Sequence, residues 1–197
     1  TLAERRLVTL AGLAGIGKTR LAAELVAQPG HPWAANVRWI DVARLRDQSD
    51  SVTLAGLVDD GVAAGGPGPI LYVVDNCETE VETAAVAEWV TVTTAAAPLT
   101  RVLVTAWRPL GVSAEHVMWL GPLSSESVAG ALPADVALLI ESALAAGADV
   151  GDGAAVRALA QSLGGIPLAI RLAARRLTAV TPVELAESID ARLTVLS

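Results

Sequence analysis

Short apolar runs, separated by longer mixed segments, recur through the first 120 residues of the chain. The runs predict five β-strands, at residues 7–11, 37–43, 70–75, 101–106 and 116–120. Helices are predicted between them, at residues 18–27, 51–64 and 78–97. Strands that alternate with helices predict an α/β fold, in which helices cover a parallel sheet and the crossover connections are right-handed.

The pattern changes near residue 123, after which no strand run remains. Five helices are predicted in this part, at residues 124–132, 133–146, 153–163, 167–178 and 182–193. Thr181 and Glu184 have the spacing of a capping box, and Pro182 stands at the first helical position. The chain is therefore predicted to contain an α/β domain at residues 1–122 and a small helical subdomain at residues 123–197.

A glycine-rich segment, GLAGIGKT, lies between the first predicted strand and the first predicted helix. It matches the phosphate-loop pattern G-x-x-x-x-G-K-[ST], in which glycines let several backbone N–H groups converge on one anion. The N-terminus of the helix that follows adds free N–H groups and a partial positive charge. The candidate nucleotide-binding residues are Gly12, Gly15, Ile16, Gly17, Lys18, Thr19 and Arg20. The alternative is a glycine-rich turn without a ligand.

Lys18, the only lysine of the chain, is expected to reach the β- and γ-phosphates, and the Thr19 hydroxyl to ligate Mg²⁺. Asp75 ends the third predicted strand, in LYVVDNCE. The carboxyl ends of parallel strands border the ligand crevice of open α/β sheets, so Asp75 is the candidate acid of the magnesium shell. Lys18 and Asp75 are also the candidate catalytic residues. Alternatively, Asp75 caps the next helix.

Composition and charge narrow the classes of function. The formal net charge of −7 argues against direct contact with nucleic acid or an anionic membrane. Cys77 is the single cysteine, which excludes an intramolecular disulfide and fits a reducing compartment. The sequence has no apolar run of membrane-spanning length and no signal-peptide pattern. We expect a cytoplasmic protein of bacterial origin that is one part of a longer chain.

Four segments, in order, resemble the signal-transducing P-loop ATPases with numerous domains, the STAND class. They are LVTLAGLAGIGKTRLA, ILYVVDNCE, RVLVTAWRPLGVSAEHVMWLGPLS and SLGGIPLAIRLAARRL. Within that class the chain is most similar to the NB-ARC-like modules of bacterial SARP-type and LuxR-type transcriptional regulators. The resemblance implies that the 101–106 strand lies between the phosphate-loop strand and the Asp75 strand. It also implies that Pro167, in the motif GGIPLA, lies near the adenine and sugar. From the residues alone, that motif is one helix end followed by a helix start.

Two positions depart from the family pattern. Trp107 stands where the family carries an arginine that senses the γ-phosphate, and Arg108 follows one position later, where side-chain direction reverses along a strand. Asn76 stands where efficient P-loop ATPases carry an acid, and an amide can orient a water molecule but cannot take its proton. Glu78 could replace that acid or, alternatively, belong to the first turn of a helix. We expect slow hydrolysis or none.

The resemblance implies a regulatory switch that binds ADP or ATP with Mg²⁺ between the α/β domain and the helical subdomain. The bound nucleotide would then control other domains of the parent regulator and its self-association on activation. One alternative is a small-molecule kinase, which shares the phosphate loop but needs lid arginines and an acceptor pocket. The other is a scaffold that keeps the fold and binds no nucleotide, against which the intact Lys18 and Asp75 count.

Overall fold

A parallel β-sheet of five strands organises the first of two compact units, Thr1–Leu120. The computed structural model describes residues 2, 4–44, 68–127 and 130–195. The strands are β1 Leu7–Ala11, β2 Val37–Asp41, β3 Ile70–Cys77, β4 Thr100–Ala106 and β5 Glu115–Trp119. All five predicted strands are confirmed, and so is the position of β4 between β1 and β3, because the order is β2-β3-β4-β1-β5. The predicted helix at residues 51–64 lies outside the described residues.

Among the residues that the structure describes, two helices cover opposite faces of the sheet and complete a three-layer arrangement. Helix α1, Lys18–Ala27, packs with Leu71 and Val73 of β3 in one core. Helix α2, Glu80–Ala96, packs with Tyr72 and Val74 in the other core, since successive side chains of a strand point to opposite faces. The β1 side chains are buried on both faces, as expected for a continuous apolar strand of a parallel sheet. The predicted α/β fold class is thus confirmed.

A capping box starts helix α2. Thr79 is its N-cap and accepts a hydrogen bond from the Glu82 N–H at 3.2 Å, while Glu82 Oε2 accepts from the Thr79 N–H at 2.8 Å. This reciprocal pair satisfies backbone donors that the first helical turn leaves free. The assignment of Glu78 to the first helical turn is therefore wrong, because Glu78 precedes the cap. Asp75 does not cap the helix either, since Thr79 has that place.

In the described part of the second unit, Gly121–Ser197, there are four helices. They are α3 Ala134–Ala145, α4 Gly153–Ser162, α5 Pro167–Arg176 and α6 Pro182–Val195. Their core contains the fully buried side chains of Leu139, Leu159 and Ile170. The capping box at the start of α6 is confirmed, because Glu184 Oε2 accepts from the Thr181 N–H at 2.8 Å. The hydrogen bond from the Thr181 N–H is the main cause of a lowered pKa of Glu184, and the hydrogen bond from the Thr181 hydroxyl is the second cause.

The predicted helix at residues 124–132 is wrong for the part of that segment which the structure describes. The Ser124 hydroxyl accepts from the Glu126 N–H at 3.0 Å, and the Ser125 hydroxyl donates to Asp135 Oδ2 at 2.6 Å. The Ser124 carbonyl accepts from the Asp135 N–H at 3.4 Å. Serine side chains that bind nearby polar groups compete with helix formation, and here they hold an irregular segment against the start of α3.

A turn of two glycines joins α4 to α5. Gly164 and Gly165 have φ values of +62° and +66°, in the left-handed region that disfavours side chains. A Cβ on Gly165 would lie 2.4 Å from the Leu123 carbonyl oxygen, and the Leu123 N–H donates to the Gly165 carbonyl at 2.8 Å. Pro167 then opens α5. The prediction of one helix end followed by a new helix start is confirmed.

Candidate functional site

The glycine-rich loop lies between the end of β1 and the start of α1. Gly12, Gly15 and Gly17 have φ values of +155°, +73° and +100°. A Cβ on Gly12 would lie 2.7 Å from the Leu120 carbonyl oxygen, so only glycine fits there. A Cβ on Gly17 would meet no atom within 4 Å, which leaves open space beside the loop backbone. Ile16 is buried and its N–H donates to the Leu13 carbonyl at 3.4 Å, so Ile16 shapes the loop from inside.

The first turn of α1 offers backbone donors to an anion. Gly17 is the N-cap without a side-chain cap, and the first turn contains no acidic residue. Leu21 is the first residue of the helix whose N–H has a partner, and it donates to the Gly17 carbonyl at 2.9 Å. The N–H groups of residues 18–20 have no hydrogen-bond partner within the described ranges. A helix N-terminus with free donors and no acid suits a phosphate.

Lys18 lies over the loop. Its Nζ donates to the carbonyl oxygens of Gly12 and Leu13 at 2.8 and 2.9 Å. Partial burial lowers the pKa of Lys18, and the charges of Glu78 and Asp75 oppose that shift. The ammonium group is therefore held beside the loop backbone and within the field of two carboxylates. The Arg20 side chain, by contrast, points to solvent near Glu24, so only its backbone N–H is available to the loop.

Thr19 and Asp75 join the start of α1 to the end of β3. The Thr19 hydroxyl donates to Asp75 Oδ1 at 2.9 Å, across 56 positions of sequence. Asp75 is 3% exposed, and the Thr105 hydroxyl of β4 donates to the same oxygen. One helix and two neighbouring strands thus converge on one buried carboxylate. The structure brings together the residues that the sequence predicted as a magnesium site, and it adds Thr105, which the sequence analysis missed.

Asn76 follows at an irregular point of β3. The register between β3 and β4 shifts between Val74 and Cys77, and Asn76 has a φ of +65°. In the described part of the chain it is the single non-glycine residue with a positive φ. Its N–H donates to the Thr105 hydroxyl at 3.1 Å, and its Nδ2 donates to Asp41 Oδ1 at 3.0 Å. Asp41, the last residue of β2, was not among the predicted site residues.

The positions that depart from the family pattern lie nearby. Trp107 follows β4 with 45% of its surface exposed. Arg108 pairs with Glu80 at 3.1 Å, and both side chains are well exposed. Arg108 therefore contacts the start of α2, in an exposed pair of the kind that contributes little to stability.

The residues present fit a nucleotide bound with Mg²⁺. The Thr19 hydroxyl and the Asp75 carboxylate are hard oxygen donors, which Mg²⁺ prefers. Mg²⁺ commonly takes only one or two protein ligands and completes its shell with phosphate and water. Among the described residues there is no group of three or more acidic, histidine or cysteine side chains that could hold a metal ion.

The backbone belongs to the P-loop NTPase-like folds. Two variants of RuvB from Thermotoga maritima superpose on it with a TM-score of 0.60, at 15% and 16% sequence identity. Each match covers 95% of this chain and 62% of the RuvB chain. At this level of identity the likeness shows the fold alone.

Curated relatives come from mycobacteria. An uncharacterised protein of Mycobacterium tuberculosis is 30% identical over 210 residues, which cover 100% of this chain and 52% of the relative. A second M. tuberculosis protein, provisionally named an HTH-type transcriptional regulator, is 30% identical over 213 residues, which cover 96% of this chain and 22% of that protein. No protein-family model matches the chain. The chain spans about half the length of the first of these relatives and less of the second. None of the described helices is long and apolar enough to cross a bilayer.

Proposed function

We propose that this chain is an ADP- or ATP-binding regulatory module of a larger bacterial transcriptional regulator, with slow or absent hydrolysis. The observation that carries the proposal is the hydrogen bond between Thr19 and Asp75, because it couples the phosphate-type loop to the buried acid at the end of β3. The relative named as a regulator supports the setting in a multidomain protein. The STAND and NB-ARC resemblance is part of the same proposal.

Each predicted site residue has a proposed role. Backbone N–H groups of the loop and of residues 18–20 bind phosphate, and Lys18 neutralises its charge. Thr19 and Asp75 hold Mg²⁺, which supplies charge stabilisation at the phosphates. Pro167 contacts the base side of the nucleotide, a role that rests on the family resemblance. The partners are the adenine nucleotide and the other domains of the regulator, with self-association on activation.

Slow hydrolysis follows from the chemistry of position 76. The side chain there is an amide, which can hydrogen-bond a water molecule but cannot take its proton. A long-lived nucleotide suits a switch, because the regulator then responds to the identity of the bound nucleotide. A ligand moves such an equilibrium only as far as it prefers one state over the other.

Thermal unfolding with ADP or ATP and Mg²⁺ tests the proposal. Tryptophan fluorescence is the suitable signal, because all five tryptophans lie in the unit that carries the loop. A ligand at one hundred times its dissociation constant stabilises the folded state by about 2.7 kcal/mol, which moves the midpoint by several degrees. Lys18→Ala should abolish the shift. Arg157→Ala, which removes one exposed positive charge from helix α4, should preserve it.

Four results are informative. A shift that Lys18→Ala removes and Arg157→Ala keeps supports the site. Equal affinities and equal unfolding profiles with ADP and ATP would argue against a switch while leaving the site intact. No shift with either nucleotide would favour the scaffold, and transfer of phosphate from ATP to an added metabolite would favour the kinase.

A further inference from the structure

Two carboxylates lie side by side near the carboxyl ends of neighbouring strands, and the proposed function uses only one. Asp41 ends β2 and pairs in register with Asp75 of β3. Its side chain is 28% exposed, so it is partly shielded from water. Asp41 Oδ1 accepts from Asn76 Nδ2 at 3.0 Å and from the Ala43 N–H at 3.1 Å. Arg44 lies 3.5 Å from the other oxygen but is 83% exposed, and such a contact adds little.

Asn76 is held through both its backbone and its side chain. Its backbone has a left-handed conformation, which is unfavourable for most residues and is tolerated best by asparagine and aspartate. The hydroxyl of Thr105 accepts from its N–H, and Asp41 accepts from its amide nitrogen. Since the amide nitrogen faces Asp41, the amide oxygen is the atom left to accept a hydrogen bond from water. Strained backbone held by its surroundings is a frequent mark of functional positions.

We propose that Asp41 is a positioning residue that fixes the Asn76 amide, and that an amide held in this way at position 76 provides no proton acceptor for hydrolysis of the bound nucleotide. The inference rests on the proposed function, since it assumes that ATP binds at the loop. The carboxylate that could accept a proton, Asp41, lies on β2. The position beside Asp75 on β3 carries the amide of Asn76 instead. The chain thus carries the acid and the amide in positions that suit retention of ATP.

The chemistry indicates what an exchange of the two side chains would do. Hydrolysis joins the water oxygen to the γ-phosphorus and breaks the bond from that phosphorus to the bridging oxygen, whose electron pair leaves with ADP. The proton lost by the water needs an acceptor. Asn76→Asp supplies a carboxylate there, but it places two acids in contact, so one of them turns away or binds a proton. Adding Asp41→Asn restores an amide partner for that carboxylate.

A double-mutant cycle in the whole chain tests the inference. The four proteins are the wild type, Asp41→Asn, Asn76→Asp and the doubly exchanged variant. Phosphate release is measured at saturating ATP and Mg²⁺, and affinity is measured by displacement of a fluorescent ADP analogue. The double exchange should release phosphate at least tenfold faster than the wild type and faster than Asn76→Asp alone. Asp41→Asn alone should give no increase, and all affinities should stay within about threefold, a pattern that independent sites would not produce.

The controls separate this inference from the proposed function. Asp152→Asn makes the same chemical change at the N-cap of α4, where asparagine caps equally well, and should alter neither rate nor affinity. If the wild type binds no nucleotide, the proposed function falls and this inference falls with it. If all four proteins bind and the double exchange is no faster than Asn76→Asp, only the role of Asp41 is overturned.

A measurement that does not depend on hydrolysis tests the inference even if an exchanged variant folds poorly. Asp41→Ala should speed solvent exchange of the Asn76 side-chain amide protons in NMR spectra by at least fivefold, because the acceptor is removed. Asp152→Asn should leave that rate unchanged. An exchange rate that is the same in Asp41→Ala and in the wild type would overturn the positioning role.

Discussion

The two glycines between α4 and α5 allow a test of two separate costs of replacing a glycine. One is the unfavourable φ, and the other is the close approach of a second backbone segment. Gly164 and Gly165 differ in φ by only a few degrees, but a Cβ on Gly164 meets no atom within 4 Å. Gly164→Ala should therefore cost only the left-handed penalty, about 1–2 kcal/mol. Gly165→Ala carries the same penalty and also drives the new Cβ to 2.4 Å from the Leu123 carbonyl oxygen.

The atom in the way is backbone, so no side-chain rotation relieves the contact. Either the Leu123 segment moves, which strains its 2.8 Å hydrogen bond to Gly165, or the turn between α4 and α5 opens. Overpacking of this kind costs about 1–3 kcal/mol more. We expect Gly165→Ala to lose about 2–5 kcal/mol in total, and always more than Gly164→Ala.

Urea unfolding followed by circular dichroism at the helical band measures both variants. The single tyrosine and all five tryptophans lie in Thr1–Leu120, so fluorescence follows the sheet unit separately. The reasoning is refuted if the two variants lose equal stability, since the approach to Leu123 would then contribute nothing. A loss below about 0.5 kcal/mol in both would refute the conformational argument as well.

Three further predictions can be tested, two by substitution and one by chemical labelling. Thr105→Val should lower the free energy of unfolding by about 1–3 kcal/mol, because it leaves the Asn76 N–H without its acceptor. Thr9 is the matched control, since its hydroxyl is equally buried and has no hydrogen-bond partner in the described part of the chain. Thr9→Val should therefore be neutral or stabilising in the same urea titration. Thr79→Ala should cost about 1 kcal/mol in fluorescence-detected unfolding, and Thr79→Ser should restore most of it; equal losses would contradict the capping role. Burial raises the pKa of Cys77 to about 11, so at pH 8 its alkylation should be at least about 100-fold slower in the native than in the urea-unfolded protein, and equal rates would show that the thiol is not buried.

The strands, and the place of β4 between β1 and β3, could be predicted because their signals are local or carried by the family pattern. Each strand is a short apolar run, and the acid at the end of the third run marks the carboxyl edge of the sheet. Capping boxes are also local: the one at Thr181 was found in the sequence, and the one at Thr79 has the same spacing and could have been found.

The remainder depends on contacts between distant segments. The segment at residues 124–132 has a helical composition, yet its serines bind the start of α3, and no local pattern records that contact. Asp41 and Asn76 meet across 35 positions of sequence, through the register of β2 with β3 and the irregularity after Val74. A carboxylate at the end of a strand run was the one available signal for Asp41. Register could have been inferred, but the direction of the Asn76 side chain could not.

Lys18 makes the loop accessible to chemical labelling. It carries the one ε-amino group of the chain, so a reagent that acylates side-chain amines has a single target. Burial lowers the pKa of this amine and raises its reactive neutral fraction, while the carbonyl oxygens of Gly12 and Leu13 hold it in place. The mass spectrum of the acylated protein therefore shows whether the Lys18 amine in the loop has reacted, because the side chain gains either one acyl group or none.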